Sequence, residues 1–176
     1  MREIALILTA VFALTAGWTD LRSRRIPNWL TVPALFIGVA VNTIIAGWMG
    51  ATIALEGAGL GLLLLFPFVV VKALGAGDWK LVGAMGAFLG PRNLLVVLFA
   101  ALIVAGIMAL ALVIYKRQLG RTLRNIGRLL LAFARGRPGD PAISLENPRA
   151  AKVPFGVAFA IAVILYLGQQ AALGRG

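Results

Sequence analysis

The chain of 176 residues contains no cysteine and no histidine. Disulfides, thiolate nucleophiles, haem ligation and the usual zinc sites are therefore excluded, as are Ser-His-Asp and Cys-His catalysis. Acidic residues are almost as scarce: Glu3, Asp20, Glu56, Asp78, Asp140 and Glu146 are all there are. General acid–base chemistry at neutral pH would fall mainly on this small set.

Apolar residues, by contrast, make up 61% of the chain, and the mean hydropathy is +0.95. Several segments approach the ~20 residues that span a bilayer. The expectation is an all-α, polytopic membrane helix bundle forming one domain over residues 1–176. Apolar segments run over about 4–18, 29–49, 51–74, 79–89, 93–115 and 153–173. The first resembles a signal peptide in length, but its leading end is nearly neutral (Arg2, Glu3), and the basic cluster Arg22, Arg24, Arg25 follows it. It is read as a retained helix. Pro27 disfavours helix at Ile26, and Asn28 is a plausible N-cap for the second helix. Pro67 is expected to kink the third. Gly57 and Gly61, and again Gly86 and Gly90, have the spacing of close helix packing.

The fourth segment, at ~16 Å, is short for a crossing. Charge decides that it crosses. With six crossings, all but Arg2, Arg92 and Arg175 of the 17 basic residues fall on one side, as the positive-inside rule requires. Both termini are then expected outside. The net charge of +11 is read as this bias together with attraction to anionic lipid, not as nucleic-acid binding. In the basic loop 116–152, Leu123, Ile126, Leu130 and Phe133 share a helical face, with Arg121, Arg124, Arg128 and Arg135 around the other. That pattern predicts a cytoplasmic amphipathic helix over 121–135 lying on anionic headgroups. Asp140, between Gly139 and Pro141, reads as a turn residue.

Two carboxylates remain at the basic, inner boundary: Asp20, ending the first segment, and Asp78, opening the fourth. An ionisable group at membrane depth is a functional candidate by default. Two neighbouring carboxylates do not easily both ionise, so one holds a proton while the other stays charged. Such a pair can activate water and protonate a leaving amide nitrogen, with no metal or cofactor required. Gly75 and Gly77 are expected to give an unusual backbone conformation and close approach of a peptide to Asp78. Lys80, two residues on, is expected to point away from Asp78 and snorkel to the headgroups. The plainer alternatives are an Asp78 that only caps its helix and an Asp20 that only pairs with Arg22 or Arg24.

Asp20 with Arg25-Ile26-Pro27-Asn28, then Gly75-x-Gly77-Asp78-x-Lys80-Leu81, then Val153-Pro154-Phe155-Gly156 opening the last helix, resembles the type IV prepilin peptidase family, aspartic peptidases of the GxGD class. The resemblance covers nearly the whole chain. It implies catalytic roles for Asp20 and Asp78, with Gly75, Gly77 and Lys80 completing the signature. It also implies a substrate that is a prepilin-like precursor with a basic leader, cut at the cytoplasmic face of a prokaryotic inner membrane. Long members carry paired CxxC motifs linked to N-methylation of the product. This cysteine-free chain is similar to the short forms of tight-adherence pilus systems and to archaeal preflagellin peptidases, so methyltransferase activity is not expected. Two other readings are a signal-peptide-peptidase-like GxGD protease cutting within the membrane and a small ion-coupled transporter. Aspartates at helix ends argue against the first, and the lack of an internal repeat argues against the second.

Overall fold

The computed structural model describes residues 2–70, 74–115, 120 and 154–173. Four helices make up the described chain: α1 (Arg2–Ser23), α2 (Asn28–Val70), α3 (Ala76–Tyr115) and α4 (Phe155–Leu173). All four are long and apolar enough to cross a membrane. The amphipathic helix expected at 121–135 and the turn at Asp140 lie outside the described residues.

Helices α2 and α3 are each folded back on themselves. In α2 the backbone leaves helical geometry at Ala46 (φ −130°, ψ 17°) and Gly47 (φ 60°, ψ −143°). Asn42 and Gly50 would stand about 12 Å apart on a straight helix, yet a Cβ added to Gly50 would run into the Asn42 carbonyl oxygen. In α3 the break is Gly90 (φ 72°, ψ 171°), followed by Pro91. Val82 and Leu94 would be about 18 Å apart on a straight helix, but both lie within 3.1 Å of the Cβ position of Gly61. Gly47 and Gly90 occupy backbone regions open essentially to glycine alone. Pro91 restarts the helix at the first-turn position where a missing N–H does no harm. Each long helix is therefore two helical segments across a tight turn. Gly90, read from sequence as a packing residue, is both: it makes the turn, and a Cβ on Gly57 would sit 2.8 Å from its Cα.

The turns sit at one end of the bundle, and the starts of α2, α3 and α4 lie with the end of α1 at the other. The Asn42 amide ties the two hairpins together near their turns, donating to Ala87 O at 2.8 Å and Phe88 O at 3.3 Å. Gly57 and Gly86 bring backbones into direct contact: a Cβ on either would meet the other's carbonyl oxygen. That is the close packing expected of the small-residue spacing. Helical dihedrals continue through Pro67 to Val70, so the chain does not leave the helix at the proline expected to kink it. α3 begins at Ala76, three residues before the expected start, which extends its first segment to about 21 Å.

The core is small-residue rich and centred on α3 and α4, with Leu81, Met85, Leu94, Phe159 and Val163 fully buried. Phe12 of α1 stacks on Phe88 at 5.8 Å. Large apolar side chains such as Phe36, Leu63, Phe99, Leu102 and Leu165 face outward. A monomer in water does not expose apolar surface on this scale; a bundle in hydrocarbon does, since lipid replaces the outer half of the core.

Candidate active site

Asp20 lies in the last turn of α1 and is 5% exposed. A carboxylate buried to this degree needs hydrogen-bond donors. The first turn of α4 supplies them: the Gly156 N–H donates to Asp20 Oδ2 at 2.8 Å, and the Val157 amide lies next to the same carboxylate. The first N–H groups of a helix have no partner within it, so their pairing with an acidic side chain satisfies both. No side chain fits between them. A Cβ on Gly156 would sit 2.9 Å from both Cβ and Oδ2 of Asp20. Arg24 is near enough for its charge to act on Asp20.

Asp78 is the third residue of α3 and is half-buried. Its carboxylate reaches back to the Gly75 amide, while the Trp79 N–H donates to Gly75 O at 3.1 Å. Asp78 therefore does not occupy the N-cap position; it reaches back from inside the first turn, which is one half of a capping box, since Gly75 has no side chain to return the bond. Asp20 and Asp78 are close enough for their charges to interact. The fold thus brings together the two carboxylates singled out in the sequence.

The residues around Asp78 differ from expectation in three ways. Gly75 and Gly77 do not adopt positive φ. What their lack of a side chain provides is room: a Cβ on Gly75 would sit 3.1 Å from Asp78 Oδ2, and one on Gly77 would sit 3.2 Å from Ile26 O. Lys80, expected to reach for the headgroups, has a partner within the protein: its Nζ donates to Asn28 Oδ1 at 2.9 Å. Asn28, in turn, is not the N-cap of α2. The Leu30 and Thr31 N–H groups both go to Pro27 O, so Pro27 opens the helix and the Asn28 side chain is free to hold Lys80. Trp79, beyond Asp78, donates its indole N–H to Leu62 O at 2.7 Å and packs on Phe66. This fixes the α3 start against α2.

A family model, the type IV leader peptidase family, matches residues 7–110. The chain belongs to that family. The match covers Asp20 and Asp78 and ends before α4. Among curated relatives, the prepilin leader peptidase/N-methyltransferase of Aeromonas hydrophila is 35% identical over 122 residues, covering 65% of this chain and 41% of that protein. The protein of the same name from Xanthomonas campestris pv. campestris is 27% identical over 173 residues, covering 93% of this chain and 50% of that one. That of Neisseria gonorrhoeae is 30% identical over 118 residues, covering 63% and 41%. The chain spans half the length of these leader peptidases or less. No solved structure matches it.

For this leader peptidase family member, sequence reasoning singled out the two aspartates but not Gly156 or Asn28 as parts of their surroundings. Both had a signal. Gly156 closes the Val153–Gly156 stretch and Asn28 the Arg25–Asn28 stretch, the two remaining motifs of the resemblance. Neither carries chemistry of its own, so their partners stayed hidden until the helix ends were seen to converge. An apolar groove of about 390 Å³ runs between α1 and α4, lined by Leu14, Trp18, Leu21, Ile161, Ile164 and Leu165 among others. Neither aspartate lines it.

Proposed function

We propose that this chain is a membrane aspartic endopeptidase that removes the basic leader from type IV prepilin-like precursors, with Asp20 and Asp78 as the catalytic pair. The observation that carries the proposal is the meeting of these carboxylates at one end of the bundle. In the reaction, the charged member takes a proton from water as the water oxygen attacks the scissile carbonyl. The protonated member gives its proton to the leaving amide nitrogen. The same two groups return to their starting states once the proton is passed back. Gly75 and Gly77 leave room around Asp78, and Lys80 helps hold its turn in place.

We read the two hairpins as four crossings, making six in all, with the aspartate end facing the cytoplasm of a prokaryotic inner membrane. The bias of Lys and Arg to that end supports this orientation. The aromatic residues Trp18, Trp29 and Tyr115, exposed at the same end with Trp48 exposed at the other, fit two interfacial belts and so support the crossings themselves. The basic loop would lie on anionic headgroups rather than hold the leader, which is itself basic. The placement of Asp20 in a last turn and Asp78 in a first turn favours cleavage at a membrane face over cleavage at mid-span. The relatives' names also include N-methyltransferase; for this cysteine-free chain we propose the peptidase activity alone.

The test is direct. Purified chain in detergent, mixed with a prepilin bearing a basic leader, should shorten the precursor by the leader mass. Asp20→Asn and Asp78→Asn should each abolish that change. Persistent cleavage by either variant would overturn the assignment of the pair.

A further inference from the structure

The connection between α1 and α2 touches α3 on both sides of Asp78. Before Asp78, Gly77 packs against the backbone of Ile26 so closely that a Cβ would sit 3.2 Å from its O and 3.3 Å from its N. Ile26 itself is 7% exposed. After Asp78, Lys80 Nζ donates to Asn28 Oδ1 at 2.9 Å. The residue in question is thus bracketed by two anchor points on one short strap.

The other end of that strap is Asp20. Its carbonyl oxygen accepts the Arg24 N–H at 2.8 Å. Arg24 takes φ 50°, the only positive φ at a non-glycine among the described residues. A residue with a Cβ holds this conformation against an intrinsic penalty, and only where its surroundings require it. Ser23 Oγ binds Thr19 O at 2.7 Å and Arg25 O at 3.2 Å, stiffening the turn. The chain between Asp20 and Asn28 is therefore tied to α1 at its start and to the Asp78 turn at its end. It spans the gap between the two carboxylates.

We infer that Asn28 is a positioning residue: by holding the Lys80 ammonium it locks this strap onto the first turn of α3 and so sets the placing of Asp78 relative to Asp20. An amide suits the task. Its carbonyl oxygen accepts from an ammonium without adding a third carboxylate beside the pair. The inference rests on the peptidase reading above for its consequence in catalysis, though not for the link itself.

The experiment is a kinetic double-mutant cycle on the full chain in detergent with Asn28→Ala, Lys80→Met and the double variant. Loss of one charge-assisted hydrogen bond should lower kcat on the order of tenfold, with KM little changed, because the substrate is still bound but the pair is misplaced. The double variant should be no slower than the slower single one. Asn28→Gln, which keeps an amide acceptor, should recover most of the loss. A merely structural role would lower the amount of folded protein and leave kcat per folded molecule unchanged. The proposal is overturned by an Asn28→Ala kcat within about twofold of the parent, by additive effects of the two single variants, or by Asn28→Gln failing as fully as Ala. If the parent chain cleaves no prepilin, the peptidase reading fails and the strap is judged by amide hydrogen exchange alone. Asn28→Ala should then speed exchange at residues 24–26 and 28 and in the first turn of α3, and unchanged exchange overturns it.

Discussion

The Gly156 N–H lies 2.8 Å from Asp20 Oδ2, joining residues separated by most of the chain. It places the first turn of α4 on the carboxylate that ends α1, with no room for a side chain between them. A helix end orients Asp20.

Gly156→Ala tests that contact. The added methyl must displace either Asp20, starting from its Cβ, or the start of α4. A displacement of even a fraction of an ångström at a reacting group can cost on the order of tenfold to a hundredfold in rate. We expect kcat to fall by that amount with a smaller loss of thermal stability. Gly168→Ala, in the same helix with open space around its Cβ position, is the control. It should cleave normally and be neutral or slightly stabilised, since alanine has the better helix propensity. Both are measured as leader removal per folded molecule, next to a melting curve in detergent.

The two aspartates should behave as one unit. The Asp20→Asn/Asp78→Asn double variant should be no more defective than either single variant, because groups acting together are strongly non-additive. Asn keeps the carboxylate's shape and removes a charge near the membrane, so folded yield should hold or rise. Asp140→Asn should retain normal turnover. A lost cap or surface ion pair would instead cost about 1 kcal/mol of stability and leave turnover intact.

Orientation can be read by labelling, since the chain has no cysteine of its own. Cysteines placed at Ser23 and at Ser144 should react only from the cytoplasmic side. Labelling of Ser144→Cys from outside intact cells would put the basic loop opposite the first one, and with it the ends of α1 and α3 on different faces.

Helix crossing at Gly57 and Gly86 should be the packing site least tolerant of change. Gly57→Ala or Gly86→Ala forces a methyl into a facing carbonyl, and overpacking of this kind costs about 1–3 kcal/mol or more. Gly59→Ala, with nothing within 4 Å of its Cβ position, should not destabilise. Thermal unfolding of the three variants in one detergent separates the cases. Equal midpoints for Gly86→Ala and Gly59→Ala would show that the backbones do not touch there.

Much of this protein was already decided in the amino-acid order. Apolar runs, each interrupted near a Gly, Pro or basic cluster, dictate a helix bundle that faces hydrocarbon, because a backbone in lipid must satisfy its own hydrogen bonds. The scarcity of titratable groups narrows the chemistry to very few carboxylates, of which Asp20 and Asp78 stand where apolar segments meet basic or glycine-rich stretches. Spacing also exposes Gly57 and Gly86 as contact residues, since a small side chain every fourth position is a local property of one helix. Tertiary structure decided what the individual segments cannot encode. That Gly47 and Gly90 are turns while Pro67 lies in continuous helix depends on what packs around each break. That Asn28 holds Lys80 instead of capping α2, and that Gly156 carries Asp20, depends on helix ends from distant parts of the chain meeting at one face. A hydrogen bond between such residues leaves no periodicity in the sequence, because neither partner's local conformation requires the other; only the packing that brings the helix ends together creates it.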